Sequence, residues 1–105
     1  MRGMILLVAA LTLPPLGAGA ARAQDVAAGE ELYGSVCRTC HGPTAKGMAS
    51  FPRLAGHDAE YLAGQLEQYR AGETVGPNSP LMIPHARDLS DEDIADVVAY
   101  VASLP

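Results

Sequence analysis

The two cysteines of this 105-residue chain stand two residues apart, in Cys37-Arg38-Thr39-Cys40-His41, with a histidine directly behind them. No other feature restricts the available folds so sharply. A disulfide here would close a loop of two intervening residues, and so short a loop confines little unfolded-chain entropy. A redox pair of the thioredoxin kind belongs at a helix start within a strand-rich α/β fold. A zinc site needs four ligands, commonly two cysteine knuckles or cysteines with spaced histidines. Beyond His41 only His57 and His85 remain, so a fourth soft ligand is missing.

The N-terminus sets the compartment in which these thiols work. Arg2 is followed by an apolar run from Met4 to Leu13, then by Pro14 and Pro15, then by Ala21-Arg22-Ala23. This is the layout of a secretory signal peptide over 1–23, too short for a membrane span and followed by polar sequence. Cleavage after Ala20 or Ala21 and an uncleaved anchor are the alternatives. The expected mature domain, 24–105, is a single unit of a size whose core alone gives thin stability, so a staple is expected. Without Arg2 and Arg22 it holds five basic against twelve acidic side chains, a formal charge of −7. Such a chain is expected to be soluble, without stable membrane insertion, and repelled by nucleic acid and anionic lipid. Long-range attraction favours a partner with a basic surface.

Three segments carry helical signals. Asp25 is placed to cap a first helix, with Gly29, Leu32, Tyr33 and Val36 at helical spacing, and the cysteine motif starts where it runs out. Asp58 caps a second, with Leu62, Leu66 and Tyr69 on one stripe and Gly72 placed to end it. Ser90 caps the third. There Asp91, Glu92 and Asp93 meet the positive helix end, and Ile94, Val97, Val98, Val101 and Leu104 follow at helical spacing. Two stretches rich in Gly and Pro, 42–56 and 73–88, read as long loops, and neither shows the alternation of a strand. The expected fold is therefore all-α: three main helices and two long irregular loops. Loops of that length in so small a domain are usually functional, here by wrapping around something.

Cys-x-x-Cys-His is the attachment signature of c-type haem. Both thiols add to the haem vinyl groups, and the following histidine, His41, becomes the proximal iron ligand. A covalently held haem c also answers the need for a staple, as one large apolar plate shared by short helices. From Asp25 to Leu104 the chain resembles a class I cytochrome c of the small bacterial type, close to cytochrome c553 and to a single domain of the dihaem cytochrome c4 group. The resemblance is carried by "CRTCHG", "FPRLAG", "YLAGQLEQYRAG", Met82 and "LSDEDIADVVAYVASL", in that order. His57 departs from it, standing where the family often has Gln after "LAG".

The resemblance implies further roles. Met82 precedes Leu89-Ser90 by the family's interval for the distal iron ligand, in a loop that Pro80 and Pro84 stiffen. His85 is the runner-up. Met48 follows His41 too closely to reach the opposite face of the haem, and His57 beside Asp58 suits a surface or capping role. The backbone carbonyl of Pro52 is the family's acceptor for the other ring nitrogen of His41. Gly29 and Tyr33 are expected to meet the last helix at Val97, Tyr100 and Val101. The implied function is that of a soluble periplasmic carrier of single electrons between redox protein partners, as a free monomer or as a subunit of an electron-transfer complex, and not that of an enzyme. The alternatives are an electron-transfer subunit of a periplasmic dehydrogenase complex, and a haem peroxidase or gas-binding protein with an open sixth site.

Overall fold

The computed structural model describes Gly3, Ala9, Ala10 and residues 24–105. But for those three residues, the leader expected over 1–23 lies outside the described part. Five helices follow in order: α1 (Val26–Leu32), α2 (Arg38–His41), α3 (Ala59–Arg70), α4 (Ser79–Arg87) and α5 (Asp91–Ala102). A π-helical turn, Tyr33–Cys37, joins α1 to α2. The described residues form no strand, only an isolated bridge between Met48 and Phe51, in keeping with the all-α expectation. No helix among them is long and apolar enough to cross a membrane.

Local chemistry places the helix ends. The carboxylates of Asp25 and Asp58 accept from the backbone N–H groups of Ala28 and Tyr61, satisfying donors the helix itself leaves orphaned. Ser90 and Asp93 form a reciprocal capping box at the start of α5. Gly72, at φ 81°, ends α3: its N–H donates to the Tyr69 carbonyl and that of Glu73 to the Gln68 carbonyl. That pair of bonds is the Schellman arrangement, which needs a left-handed residue at this point.

Two expectations are corrected. Helical backbone does not end at the cysteine motif; it runs on through it to His41, and Gly42 terminates it at φ 87°. The Arg38 N–H reaches back to the Tyr33 carbonyl, the wider spacing of a π-turn, and so carries the helix past its first exhaustion. The second correction lies in 73–88, read as a loop, where residues Ser79–Arg87 are helical. Pro80 sits in the first turn, where its missing N–H costs nothing. Pro84 is internal and forfeits one helical bond, and packing of α4 against α3 outweighs it. Ser79 is almost fully buried and its Oγ accepts from the N–H groups of Val75 and Gly76 at 2.8 Å, which fixes the turn before α4.

The frame is the packing of α1 on α5. Gly29 comes so close that a Cβ there would lie 2.0 Å from the Asp96 carbonyl oxygen and 3.0 Å from Cβ of Tyr100. The Tyr33 and Tyr100 rings meet at 5.6 Å, and Tyr33 joins Val97 and Val101 in the core. The expected meeting of the first and last helices therefore holds, with its tightest point at the Asp96 backbone. Asp96 also accepts from the Asp25 N–H at 2.9 Å, tying the start of α1 to the middle of α5. At the start of α5, the Arg70–Asp91 pair at 2.7 Å, whose carboxylate is exposed, adds little, as surface pairs do.

Gly29→Ala should therefore destabilise the protein. Helix propensity alone favours Ala by about 0.5–1 kcal/mol, but the methyl group must push a backbone carbonyl aside, at a cost of about 1–3 kcal/mol or more. Gly29→Val should cost more still. Chemical denaturation of the haem-loaded protein measures it, and a neutral Gly29→Val would mean that the helices do not meet here.

Candidate functional site

The helical run through the motif puts Tyr33, Val36, Cys37, Cys40 and His41 on one stripe, because their spacings are those of a single helix face. That stripe forms one wall of a cavity of about 480 Å³. Leu62, Leu66 and Tyr69 of α3, Leu81, Met82 and His85 of α4, and Val97, Val98 and Val101 of α5 supply further walls. Phe51, Pro52 and Leu54 complete the lining from the loop after His41. The size is that of a cofactor site, and the surroundings are mostly apolar with a few polar groups.

His41 is buried at 5 % exposure, and its Nδ1 stands 2.9 Å from the Pro52 carbonyl oxygen. A carbonyl only accepts, so Nδ1 carries the proton and Nε2 keeps its lone pair. The Pro52 acceptor inferred from resemblance is thus in place. The loop that brings it there needs two kinds of unusual backbone. Gly47 has φ 83°, and a Cβ would come within 2.7 Å of the Phe51 carbonyl oxygen. Ala45 is left-handed too (φ 58°) and fully buried, and its carbonyl accepts from both Leu54 and Ala55. The Gly47 N–H in turn donates to the His41 carbonyl. Tyr33 closes the other side by donating its hydroxyl to the Gly42 carbonyl.

The thiols read differently from those of a redox enzyme. Both cysteines are free and half-buried. Burial first, and then the neighbouring Cys40, push the Cys37 thiol up to about 11. A catalytic or redox-sensing cysteine has its pKa lowered, so this one is built for another purpose. Among the described residues no group of three or more His, Cys, Asp or Glu side chains suits a metal ion, so no zinc donor set is assembled. What the cavity offers is two thiols and one imidazole on one helical wall, and a thioether from another helix. That donor set fits an apolar plate anchored through sulfur and carrying iron.

All of Cys37, Cys40, His41 and Met82 line the cavity. Met48 does not and is 45 % exposed, in keeping with the minor role expected of it. His85, the runner-up ligand, lines it beside Met82. His57 is exposed, as its expected surface role requires, and it also lines the cavity, stacked on Tyr61 at 4.6 Å. Sequence reasoning passed over Ser79, Asn78 and Arg53. Asn78 caps nothing of its own helix; its amide donates to the Ser50 carbonyl at 3.3 Å, linking the loop after His41 to the segment before Met82. The helical spacing of Asn78, Leu81, Met82 and His85 was the available signal.

A family model for cytochrome c matches residues 26–105. Cytochrome c-554(548) of Halomonas halodenitrificans is 48% identical over 82 residues, covering 77% of this chain and 98% of that protein. The thiosulfate dehydrogenase electron acceptor of Stutzerimonas stutzeri is 46% identical over 71 residues, covering 66% of this chain and 32% of that one. Among solved structures, reduced recombinant cytochrome c4 from Pseudomonas stutzeri superposes with a TM-score of 0.71 at 32% identity. The match covers 76% of this chain and 48% of that chain, so the chain spans about half the length of that structure.

Burial, and secondarily the charge of Cys37, raise the Tyr33 phenol to about 12 from its ordinary 10.0. Its neutral form is the one that suits the fold. The stability this represents is complete below the unfolded value and is lost as pH rises from about 10 to about 12. Denaturation midpoints measured across that interval should fall, and Tyr33→Phe should flatten the fall while lowering stability at neutral pH through the lost bond to Gly42. A wild-type midpoint flat through the interval would count against a buried phenol.

Proposed function

The chain belongs to the cytochrome c family, an electron-transfer family whose members hold haem c and its iron covalently, and on that premise we infer that it is a soluble periplasmic carrier of single electrons with His/Met-ligated iron. The observation that carries this reading is one cavity lined by Cys37, Cys40 and His41 from one helical run and by Met82 from α4. In it, Cys37 and Cys40 would hold the haem as thioethers, and His41 through Nε2 and Met82 through its sulfur would bind its iron. The bound group supplies a one-electron ferric/ferrous couple. The chain's own residues set its terms. Pro52 fixes the His41 ring and its tautomer. The thioether of Met82 favours ferrous iron more than a second imidazole would, giving a mid-to-high potential. Leu62, Val97, Val98 and Val101 line the cavity with hydrocarbon. With both His41 and Met82 on the iron, no site would be left open for a substrate, which suits a carrier rather than an enzyme.

The periplasmic assignment rests on the leader-like segment over 1–23 and on the export that such a segment directs. Redox proteins are the partners, and the acidity of the mature chain favours those with a basic face. A second reading, an electron-transfer subunit of a periplasmic dehydrogenase complex, draws on the similarity to a thiosulfate dehydrogenase electron acceptor. Co-purification with a dehydrogenase would favour it over a free carrier.

The intact mass of protein recovered from periplasm should equal residues 24–105 plus one haem, and the haem should survive acid–acetone extraction. Cys37→Ala combined with Cys40→Ala should abolish that covalent retention; haem held as firmly as before would defeat the assignment. Ligation is tested by the weak near-infrared sulfur-to-iron band of the ferric protein. Met82→Ala should lose it, Met48→Leu should keep it, and Met82→His should lower the potential. A band that survives Met82→Ala but not Met48→Leu would move the ligand to Met48.

A further inference from the structure

Met82 and His85 are three residues apart on α4, about one helical turn, and both line the cavity. Three histidines reach that cavity, and two are engaged: His41 with the Pro52 carbonyl, His57 with the Tyr61 ring. His85 makes no hydrogen bond, ion pair or ring contact with the described residues, so its imidazole nitrogens are uncommitted. It is exposed where Met82 is half-buried, which places Met82 deeper along the same face.

The helix that carries both residues is lightly held. It packs mainly on α3. Pro84 donates no helical bond to the Pro80 carbonyl, and Asn78 gives no side-chain cap. Three residues of α-helix correspond to about 4.5 Å of travel along the axis. One-turn slips of a helix past its neighbour are an established kind of switch between discrete packings.

Resting on the reading of Met82 as the iron's thioether ligand, we propose that His85 is a reserve axial ligand that takes the sixth position whenever the Met82 bond is lost. Neutral imidazole is a good ligand for iron in either state and a better one than thioether for ferric iron. Met82 holds the position in the intact protein because the register of α4 buries it deeper. When its sulfur is removed or displaced, α4 advances and His85 closes the same position through a ring nitrogen. The chain then stays six-coordinate at a lower potential, and does not acquire the open site that would admit carbon monoxide or peroxide.

The test uses haem-loaded Met82→Ala, Met82→Ala/His85→Ala, Met82→Ala/His57→Ala and His85→Ala, with Met82→Leu replacing the alanine if that variant does not accumulate. Spin state of the ferric form and carbon monoxide affinity of the ferrous form are the readouts. Met82→Ala should be low-spin without the near-infrared band, and should bind carbon monoxide at least about tenfold more weakly than Met82→Ala/His85→Ala, which should be high-spin. His85→Ala alone should keep the near-infrared band, since Met82 still holds the iron. A high-spin Met82→Ala with the carbon monoxide affinity of the double variant would overturn the proposal while leaving Met82 as ligand. So would a low-spin state that survives loss of His85 but not of His57. A near-infrared band persisting in Met82→Ala would instead remove Met82 from the iron, and with it the basis of the reserve role.

Discussion

The apolar stripes of this protein converge on a shared cavity, and that convergence governs the rest of the structure. In an ordinary small helical domain the stripes pack on one another and large side chains fill the middle. Here the largest fully buried side chains are Tyr33 and Ser79, and the chain has one Phe and no Trp. The tightest helix–helix approach is where Gly29 lets α1 meet the backbone of α5, while α3 packs on both α4 and α5. Leu62 and Leu66 of α3 and Val97, Val98 and Val101 of α5 present themselves to the cavity. A covalently held haem c therefore has a packing role as well as a redox one. Thioether links to Cys37 and Cys40 would place the plate against the motif helix, where the remaining helices would bury their stripes against it.

Much of this was legible because it follows from short-range rules. The cysteine motif limits its own chemistry by spacing. Asp25, Asp58 and Ser90 cap helices because a short oxygen-bearing side chain satisfies orphan N–H groups, and Gly72 ends α3 because a left-handed residue is required there. Resemblance supplied the Pro52 carbonyl, which no local pattern points to. What escaped was set at longer range. The helix through Cys37 to His41 survives by a π-turn, which hydrophobic spacing does not announce. α4 was read as loop because Pro80 and Pro84 are helix breakers in isolation. One lies in the first turn, where its defect is harmless, and packing on α3 outweighs the other. Asn78 acquires its position only when two loops distant in sequence meet, its amide donating to the Ser50 carbonyl.

The placement of charge completes the account. The chain has twelve Asp and Glu residues, and none lines the cavity; Arg53, His57 and His85 do. Seven of the acids lie on or beside two helices: Asp25, Glu30 and Glu31 at α1, and Asp91, Glu92, Asp93 and Asp96 along α5. A carboxylate close to the iron in a low-dielectric site would stabilise the ferric form and pull the potential down. Acids held outside the lining are screened by solvent and salt and weigh little on the couple. They still act over longer distances on solubility and on the approach of a partner. The sequence can thus be strongly acidic as a whole while the surroundings of the haem stay apolar and slightly cationic. The two demands on an electron carrier, a steep field outside and a quiet one inside, are met by different faces of the same helices.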